Sequence, residues 1–442
     1  MVLPLGGERG GLIMKQEKKQ WGAIIVMIAL FAMIAFVTNL CSPMGVIVKN
    51  QFGTTNFMAM IGNYGNFGAY LLMGFPAGLM IKHWGYKRTA LIGLLVGITG
   101  IIIQWLSGWG GMAVYLCGAL ISGACMCILN TVVNPMLNIL GGGGNKGNQL
   151  IQTGGVFNST AAVAVYIIMG ALIGDAAKAK ISDATPALMI ALAIFVVAFV
   201  VILFTRIEEP QQPVEKKNGQ KDPYSAFSFR HFNLGILAIG LYGGIEMGIP
   251  GFILQYLTAA GDAATPGLAM DAGYVGTLGS IYFLFMLIGR FIGASVGGKV
   301  STKAMMTFVS STAIVLLLLG IYLPTSTAVS VPGIDYTNMA ILWGNVPVGI
   351  FCFLLVGLCA SVMWGGIFNL ATEGLGKYTA IASGAFMTMV VGFAIMVAIQ
   401  GLVADWTGSY LTSYWVPLAC AIYILYYALI GSKNVNTDIP VE

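Results

Sequence analysis

Two ionisable residues stand deep inside long apolar runs of this 442-residue chain. Glu246 lies in Gly243-Gly244-Ile245-Glu246-Met247-Gly248-Ile249-Pro250-Gly251, and Arg290 in Gly289-Arg290-Phe291-Ile292-Gly293. Charge in hydrocarbon is costly, so such residues mark a polar passage, a proton relay or a packed ion pair. The glycines around Glu246 and the following Pro250 predict an interrupted or bent helix, whose freed backbone groups can line a cavity. A carboxyl group held there, away from bulk water, can take up and release a proton; the bland alternative is a carboxyl that only bonds a neighbouring helix. Arg290 is placed nearer one membrane face, where it either pins a gate or extends its head group toward water.

Uncharged polar residues form the second set. Asn130, Asn134 and Asn138 recur every fourth residue and so make one stripe on one helix. Asn63 and Asn66 share a face, as do Asn39 and Ser42, and Asn158 follows Gln149 and Gln152 on another helix. Amides both donate and accept hydrogen bonds, which matches a neutral polyhydroxy ligand. Tyr64, Tyr242, Tyr282 and Trp364 are aromatic candidates for flanking a sugar ring. The competing reading is interhelical adhesion, a common use of amides in membranes.

These residues need a membrane-embedded frame. The chain is 58% hydrophobic and 8% charged, where soluble domains average about 25% charged. Lipid must therefore solvate much of it. Apolar segments of about 20 residues or more each suffice to cross a bilayer. They predict twelve spanning helices near 21–48, 56–82, 88–107, 112–140, 149–174, 186–205, 233–258, 273–298, 303–323, 347–371, 379–403 and 410–431. The polar, Pro- and Lys-containing stretch 206–231 divides them into six-helix halves, 21–205 and 232–432, with tails at 1–20 and 433–442. Of the Lys and Arg residues, all but Lys49, Lys178, Lys180 and the mid-helix Arg290 fall on the side of the N-terminus. That asymmetry predicts cytoplasmic termini.

Two connections echo each other: Gly78 to Arg88, containing Lys82, Gly85 and Lys87, and Gly297-Gly298-Lys299 to Lys303. Glycines allow tight turns there and lysines hold them in the cytoplasm. The expected fold is all-α, with two pseudo-symmetric six-helix halves in the major facilitator arrangement and a ligand held between them near the midplane. The seven cysteines all fall in apolar runs and read as small hydrophobes, with no metal site or disulfide framework. No cofactor, nucleic acid or partner subunit is expected, and the small net charge of +5 is accounted for by one membrane face. A membrane enzyme or sensor would need clustered acids and histidines, whereas His83 and His231 stand apart from any acidic cluster.

Several patches, in order and spacing, resemble the fucose–galactose–glucose proton symporters of the major facilitator superfamily. They are Phe67-Gly68, Phe75-Pro76-Ala77-Gly78, Gly85-Tyr86-Lys87, Asn134-Pro135, Leu140-Gly141, Phe157-Asn158-Ser159, Gly244-Ile245-Glu246, Gly289-Arg290-Phe291 and Gly401–Asp405–Gly408. The resemblance implies a sugar transporter of a bacterial inner membrane and carries a sugar-binding role onto Asn158. It also exposes departures. Ser42 and Asn130 stand where the family has carboxylates, and Gly155 stands where it has a glutamine. The expectation is thus a cation-coupled sugar importer with Glu246 as proton carrier. Asn39, Ser42, Asn63, Asn66, Asn130, Asn134, Gln152, Asn158, Tyr282 and Trp364 are the ligand candidates, and Arg290, Gly78, Lys82, Gly85, Lys87 and Arg88 the gating or structural ones. An uncoupled or sodium-driven carrier of an amino-sugar or nucleoside remains the alternative.

Overall fold

The computed structural model describes residues 20–52, 56–173, 180–205, 207, 222–270, 272–335 and 340–441. The expected N-terminal tail and most of the expected linker lie outside the described residues. So do the side chains of Ser42 and Asn63, although both sit on described helices.

Without water, a backbone can satisfy its N–H and C=O groups only internally, and the chain does so by long helices. We label them α1 (Trp21–Phe52), α2 (56–84), α3 (86–110), α4 (Met112–Leu140), α5 (Gly144–Ile173) and α6 (Thr185–Phe204). After the polar stretch come α7 (Arg230–Thr258), α8 (Ala272–Val296), α9 (Thr302–Tyr322), α10 (Val348–Thr372), α11 (Gly376–Thr407) and α12 (Tyr410–Gly431). Ten segments among the described residues are long and apolar enough to cross a membrane, and one of them, Gly65–Gly110, holds 46 residues. It serves as two spans, α2 and α3. With α5 the count is consistent with twelve.

The expected turn between the second and third spans is a single residue. Gly85 has φ 82° and ψ 173°, a conformation open to glycine and strained for other residues. Just beyond it, the Lys87 ammonium donates to the Leu203 and Thr205 carbonyls at 3.0 and 2.9 Å. It thereby satisfies acceptors left open at the end of α6. Lys82 and Arg88 are exposed on the same face. We call this the N-terminal face, since α1 begins there.

The sequence reading had no strands, and the described residues hold two. β1 (Ala328–Asp335) and β2 (Ala340–Pro347) pair antiparallel between α9 and α10 on the opposite face, in register from Ala328↔Pro347 to Asp335↔Ala340. Gly333 and Gly344 lie flat on the Tyr274 ring of α8, where an added Cβ would come within 2.7 Å of the ring at Gly344. The Tyr274 hydroxyl reaches the Val331 and Gly344 carbonyls at 2.9 and 3.2 Å. The hairpin is thereby fastened to α8.

On the N-terminal face, the end of the linker is fastened to the second half. The Asp222 carboxylate accepts from the Tyr224 backbone N–H at 3.0 Å and the Tyr378 hydroxyl at 2.8 Å, and pairs with Lys377 at 3.1 Å. These bonds, the backbone one foremost, hold its pKa below the ordinary carboxylate range. A carboxylate whose folded-state pKa is depressed stabilises the fold above its unfolded pKa, and that stabilisation fades as pH falls through the folded value. Asp222→Asn should therefore lower the thermal midpoint slightly at neutral pH. The gap from wild type should close in acid, as followed by differential scanning fluorimetry in detergent.

Candidate functional site

Several of the residues singled out above fall into two groups that join the halves, one built on Glu246 and Arg290 and the other on the amide stripe. Residues 244–248 of α7 form a π-helical turn, and Glu246 sits in it. Such turns are rare and shift hydrogen bonding by one residue. Buried tyrosines brace the turn from neighbouring helices: Tyr282 of α8 donates to the Ile245 carbonyl at 2.8 Å, and Tyr414 of α12 to the Ile249 carbonyl at 3.1 Å. Tyr242, one turn before Glu246, donates to the Ala360 carbonyl of α10 at 3.1 Å. The helix is widened where the sequence predicts an interruption, and the acid is held at the widening. Tyr282, expected as a ligand contact, is used here as a brace.

Glu246 is not alone. The Arg290 guanidinium of α8 lies 3.7 Å from its carboxylate; the Arg290 side chain is 11% exposed and that of Glu246 18%. The same guanidinium crosses to the first half, donating to the Gly155 carbonyl (3.2 Å), the Asn158 carboxamide oxygen (3.2 Å) and the Ser159 hydroxyl (2.6 Å) of α5. Its Nε donates to the Ser361 carbonyl at 3.4 Å, next to the break in α10. Asn158 in turn donates to the Phe31 carbonyl of α1 at 2.8 Å. Arg290 thus neither reaches lipid nor extends toward an interface. A planar fork of five donors suits this many acceptors. Gly155 leaves the room: a Cβ there would lie 3.3 Å from Arg290 Cδ.

The second group is the amide stripe. Asn130 donates to the Tyr70 hydroxyl at 2.8 Å, Asn134 donates to the Asn130 carbonyl at 2.9 Å, and the Asn134 oxygen accepts from the Trp364 indole at 3.2 Å. Trp364 belongs to α10, so this chain also joins the two halves. Around the indole stand Tyr242, Phe386 and Phe393 of the second half, with ring centroids 6.5, 6.0 and 6.1 Å away. Phe67 of α2 meets Phe393 at 5.9 Å. Asn66 is buried on α2, and its carboxamide oxygen has no hydrogen-bond partner. Asn66 packs against Gly123 of α4, so it is Asn130 and Asn134 of the first half that meet the aromatic wall of the second.

Not every candidate joins these groups. Asn39 bonds the Ala35 carbonyl of its own helix at 2.8 Å. Gln152 is fully enclosed and donates to the Val362 carbonyl at 3.0 Å, and Gln149 donates to the Ala294 carbonyl at 2.9 Å. Asn138 lies toward the N-terminal face, where the Asn369 amide meets it at 3.4 Å. A cavity of about 180 Å³ opens beside it, bounded by Pro135, Asn138, Asn369, Thr372, Glu373 and Thr379, away from Glu246. Ser159, Tyr70, Tyr414 and Phe393 take part without having been singled out. Ser159 stands next to Asn158 and was findable by adjacency, whereas a buried aromatic in an apolar run carries no mark of its partner.

Toward the N-terminal face the halves are sealed along two seams. On one, α5 presents Asn145, Gln149, Gln152, Gly155 and Asn158, a spacing of three and four that stays on one helical face. They meet Thr302, Ala294, Val362 and Arg290 in rising order. Gly298 admits Gln149, whose side-chain oxygen would lie 2.5 Å from a Cβ there. On the other seam α2 crosses α11 backbone to backbone. A Cβ on Gly384 would lie 2.8 Å from the Gly78 Cα, and one on Gly78 would lie 2.9 Å from the Ala380 carbonyl. Small residues at crossings allow such approach.

Comparison with known proteins fits this geometry. The chain is 29% identical over 430 residues to a glucose/galactose transporter of Brucella abortus (strain 2308), covering 95% of this chain and 96% of that one. It is 22% identical to the L-fucose-proton symporter of Escherichia coli (strain K12), covering 92% and 93%. Among solved structures it superposes on the transporter FucP in the outward conformation with a TM-score of 0.78 at 21% identity, covering 93% of this chain and 99% of that one. The Major Facilitator Superfamily model matches residues 26–399. Twelve apolar spans, two facing halves and a match running through nearly all of both make this chain a multi-pass integral membrane protein belonging to the Major Facilitator Superfamily.

Proposed function

We propose that the chain imports a neutral sugar of the glucose, galactose or fucose kind by alternating access, driven by protons that enter with it. The observation that carries this reading is the meeting of Asn130 and Asn134 with the aromatic wall around Trp364, beside the one acid–base pair that the described residues set into the spanning helices. Sugar rings offer hydroxyl edges to amides and C–H faces to aromatic rings. The names of the relatives, glucose/galactose transporter and L-fucose-proton symporter, point the same way.

Orientation follows from charge. Lys82, Arg88, Lys146, Lys299 and Lys303 all lie on the N-terminal face, which supports reading that face as cytoplasmic. Both seams lie on this side, so the conformation described is sealed toward the cytoplasm and presents its chamber outward. The two six-helix halves, 21–205 and 232–432, move as the rocking bodies, and a single chain suffices for transport in a bacterial inner membrane. Asn158 orients the sugar from the cytoplasmic edge of the chamber, and Glu246 carries the proton.

The test is uptake of radiolabelled D-glucose, D-galactose and L-fucose into proteoliposomes of the purified protein under an imposed inward proton gradient. Accumulation of at least one sugar, abolished by a protonophore, is the expected result. Equal accumulation driven by sodium alone would replace the proton in this reading. Absence of saturable uptake of all three sugars would overturn it.

A further inference from the structure

Where α5 meets α8, α9 and α10, Arg290 is the one charged group bonded across the seam among the described residues, and it lies nearest to Glu246. Below it every bond is made by neutral groups: Gln152 to the Val362 carbonyl, Gln149 to the Ala294 carbonyl, Asn145 to the Thr302 N–H. Above it lies Glu246. The guanidinium therefore forms the border between the site and the seal, held on one side by a carboxylate of its own half and on the other by three acceptors of the opposite half.

We propose that Arg290 is a charge-read latch: it keeps the cytoplasmic seam closed while Glu246 is ionised and releases α5 when Glu246 takes a proton. This rests on the reading of Glu246 as the proton carrier and adds how its state reaches the gate. A guanidinium between two closed halves is tolerable only with a counter-charge, because its own desolvation is large. Glu246 supplies that charge. Gly155, Asn158, Ser159 and Ser361 offer dipoles but no net charge. The other titratable groups facing the pair are the hydroxyls of Tyr242 and Tyr282, which stay neutral at physiological pH and cannot replace the carboxylate. Once Glu246 is neutral, the cation regains stabilisation only by meeting water, and parting α5 from α8 admits it.

The sense of this step fits symport. A proton arriving from outside through the open chamber loosens the seal on the far side. Loss of the proton to the cytoplasm restores the pair and draws the seam shut. Ligand and proton exert their effects through one two-state element, as a thermodynamic coupling requires.

Hydrogen–deuterium exchange of the purified full-length protein tests the latch, read on the cytoplasmic halves of α5 and α8 and corrected for the intrinsic effect of pH. In wild type, acidification should speed exchange of these segments on the order of tenfold, a shift that a few kilocalories of lost pairing readily produces. Glu246→Gln should show the fast pattern at every pH. Arg290→Lys keeps a positive charge and should keep a pH response, while Arg290→Met should lose the response whatever its absolute rate. Should Arg290→Met fail to fold, the Lys and Gln variants alone decide. Wild-type protection that ignores pH, or a Glu246→Gln seam as protected as wild type at neutral pH, overturns the latch. Failure of the carrier reading looks different: Glu246→Gln would still accumulate sugar. A variant that loses accumulation while its seam stays wild-type sinks the latch and leaves the carrier standing.

Discussion

Glu246→Gln is expected to abolish sugar accumulation against a gradient while leaving exchange of labelled for unlabelled sugar intact. The amide keeps the shape of the acid and can still accept from Arg290, so the π-turn braced by Tyr282 and Tyr414 should form. What it cannot do is release a proton. It is fixed in the uncharged state, which is the state that travels loaded. Net uptake requires an empty return with the proton gone, whereas exchange shuttles only loaded carrier. The loss of the counter-charge should also destabilise the sealed conformation, since removing one member of a buried pair costs about 3–5 kcal/mol. The thermal midpoint should therefore drop in the absence of sugar. Undiminished accumulation in this variant would mean that Glu246 does not carry the proton.

Gly384→Leu should abolish transport for a mechanical reason. The α2–α11 seam has no room for a side chain: even a Cβ at position 384 would stand 2.8 Å from the Gly78 Cα and nitrogen. These are backbone atoms in the middle of a helix, so no rotamer change relieves the contact. The halves can accommodate the leucine only by staying apart on the cytoplasmic side. Folding of each half is little affected, because the clash exists only in one of the two working conformations. Proteoliposomes carrying the variant should show less than about a hundredth of wild-type uptake, the loss expected when a few kilocalories set against one state empty it. A cysteine placed along the cytoplasmic half of α5 should become reactive toward a membrane-impermeant maleimide added on that side. Normal transport in Gly384→Leu would show that α2 and α11 need not close against each other.

Much of this was legible in the chain. Apolar length fixes the number of spans, because the bilayer has one thickness and the backbone has one economical way through it. The kink at Gly85 and the unusual turn around Glu246 were both announced by glycines. What was not legible is pairing between distant segments. Arg290 looked like a side chain free to reach an interface, because nothing in Gly289-Arg290-Phe291 says that residue 155 opposite is a glycine. Gln149 and Gln152 looked like ligand contacts because an amide has the same chemistry whether it meets a hydroxyl or a backbone carbonyl. The hairpin 328–347 escaped notice because its strands alternate weakly, the glycines at 333 and 344 taking inward positions where a side chain would ordinarily sit. They are there for Tyr274, which is far away in sequence.

Among the described residues the seal between the halves is made of amides, carbonyls and bare glycine backbone, with a single cation, Arg290, at the edge nearest Glu246. Dissolved ions weaken attractions between exposed charges over distances of about 8–10 Å at ordinary ionic strength. Short contacts between uncharged dipoles, shut away from solvent, offer those ions nothing to screen. A cell that concentrates potassium in its interior under osmotic stress would therefore keep this barrier tight when it can least tolerate a leak.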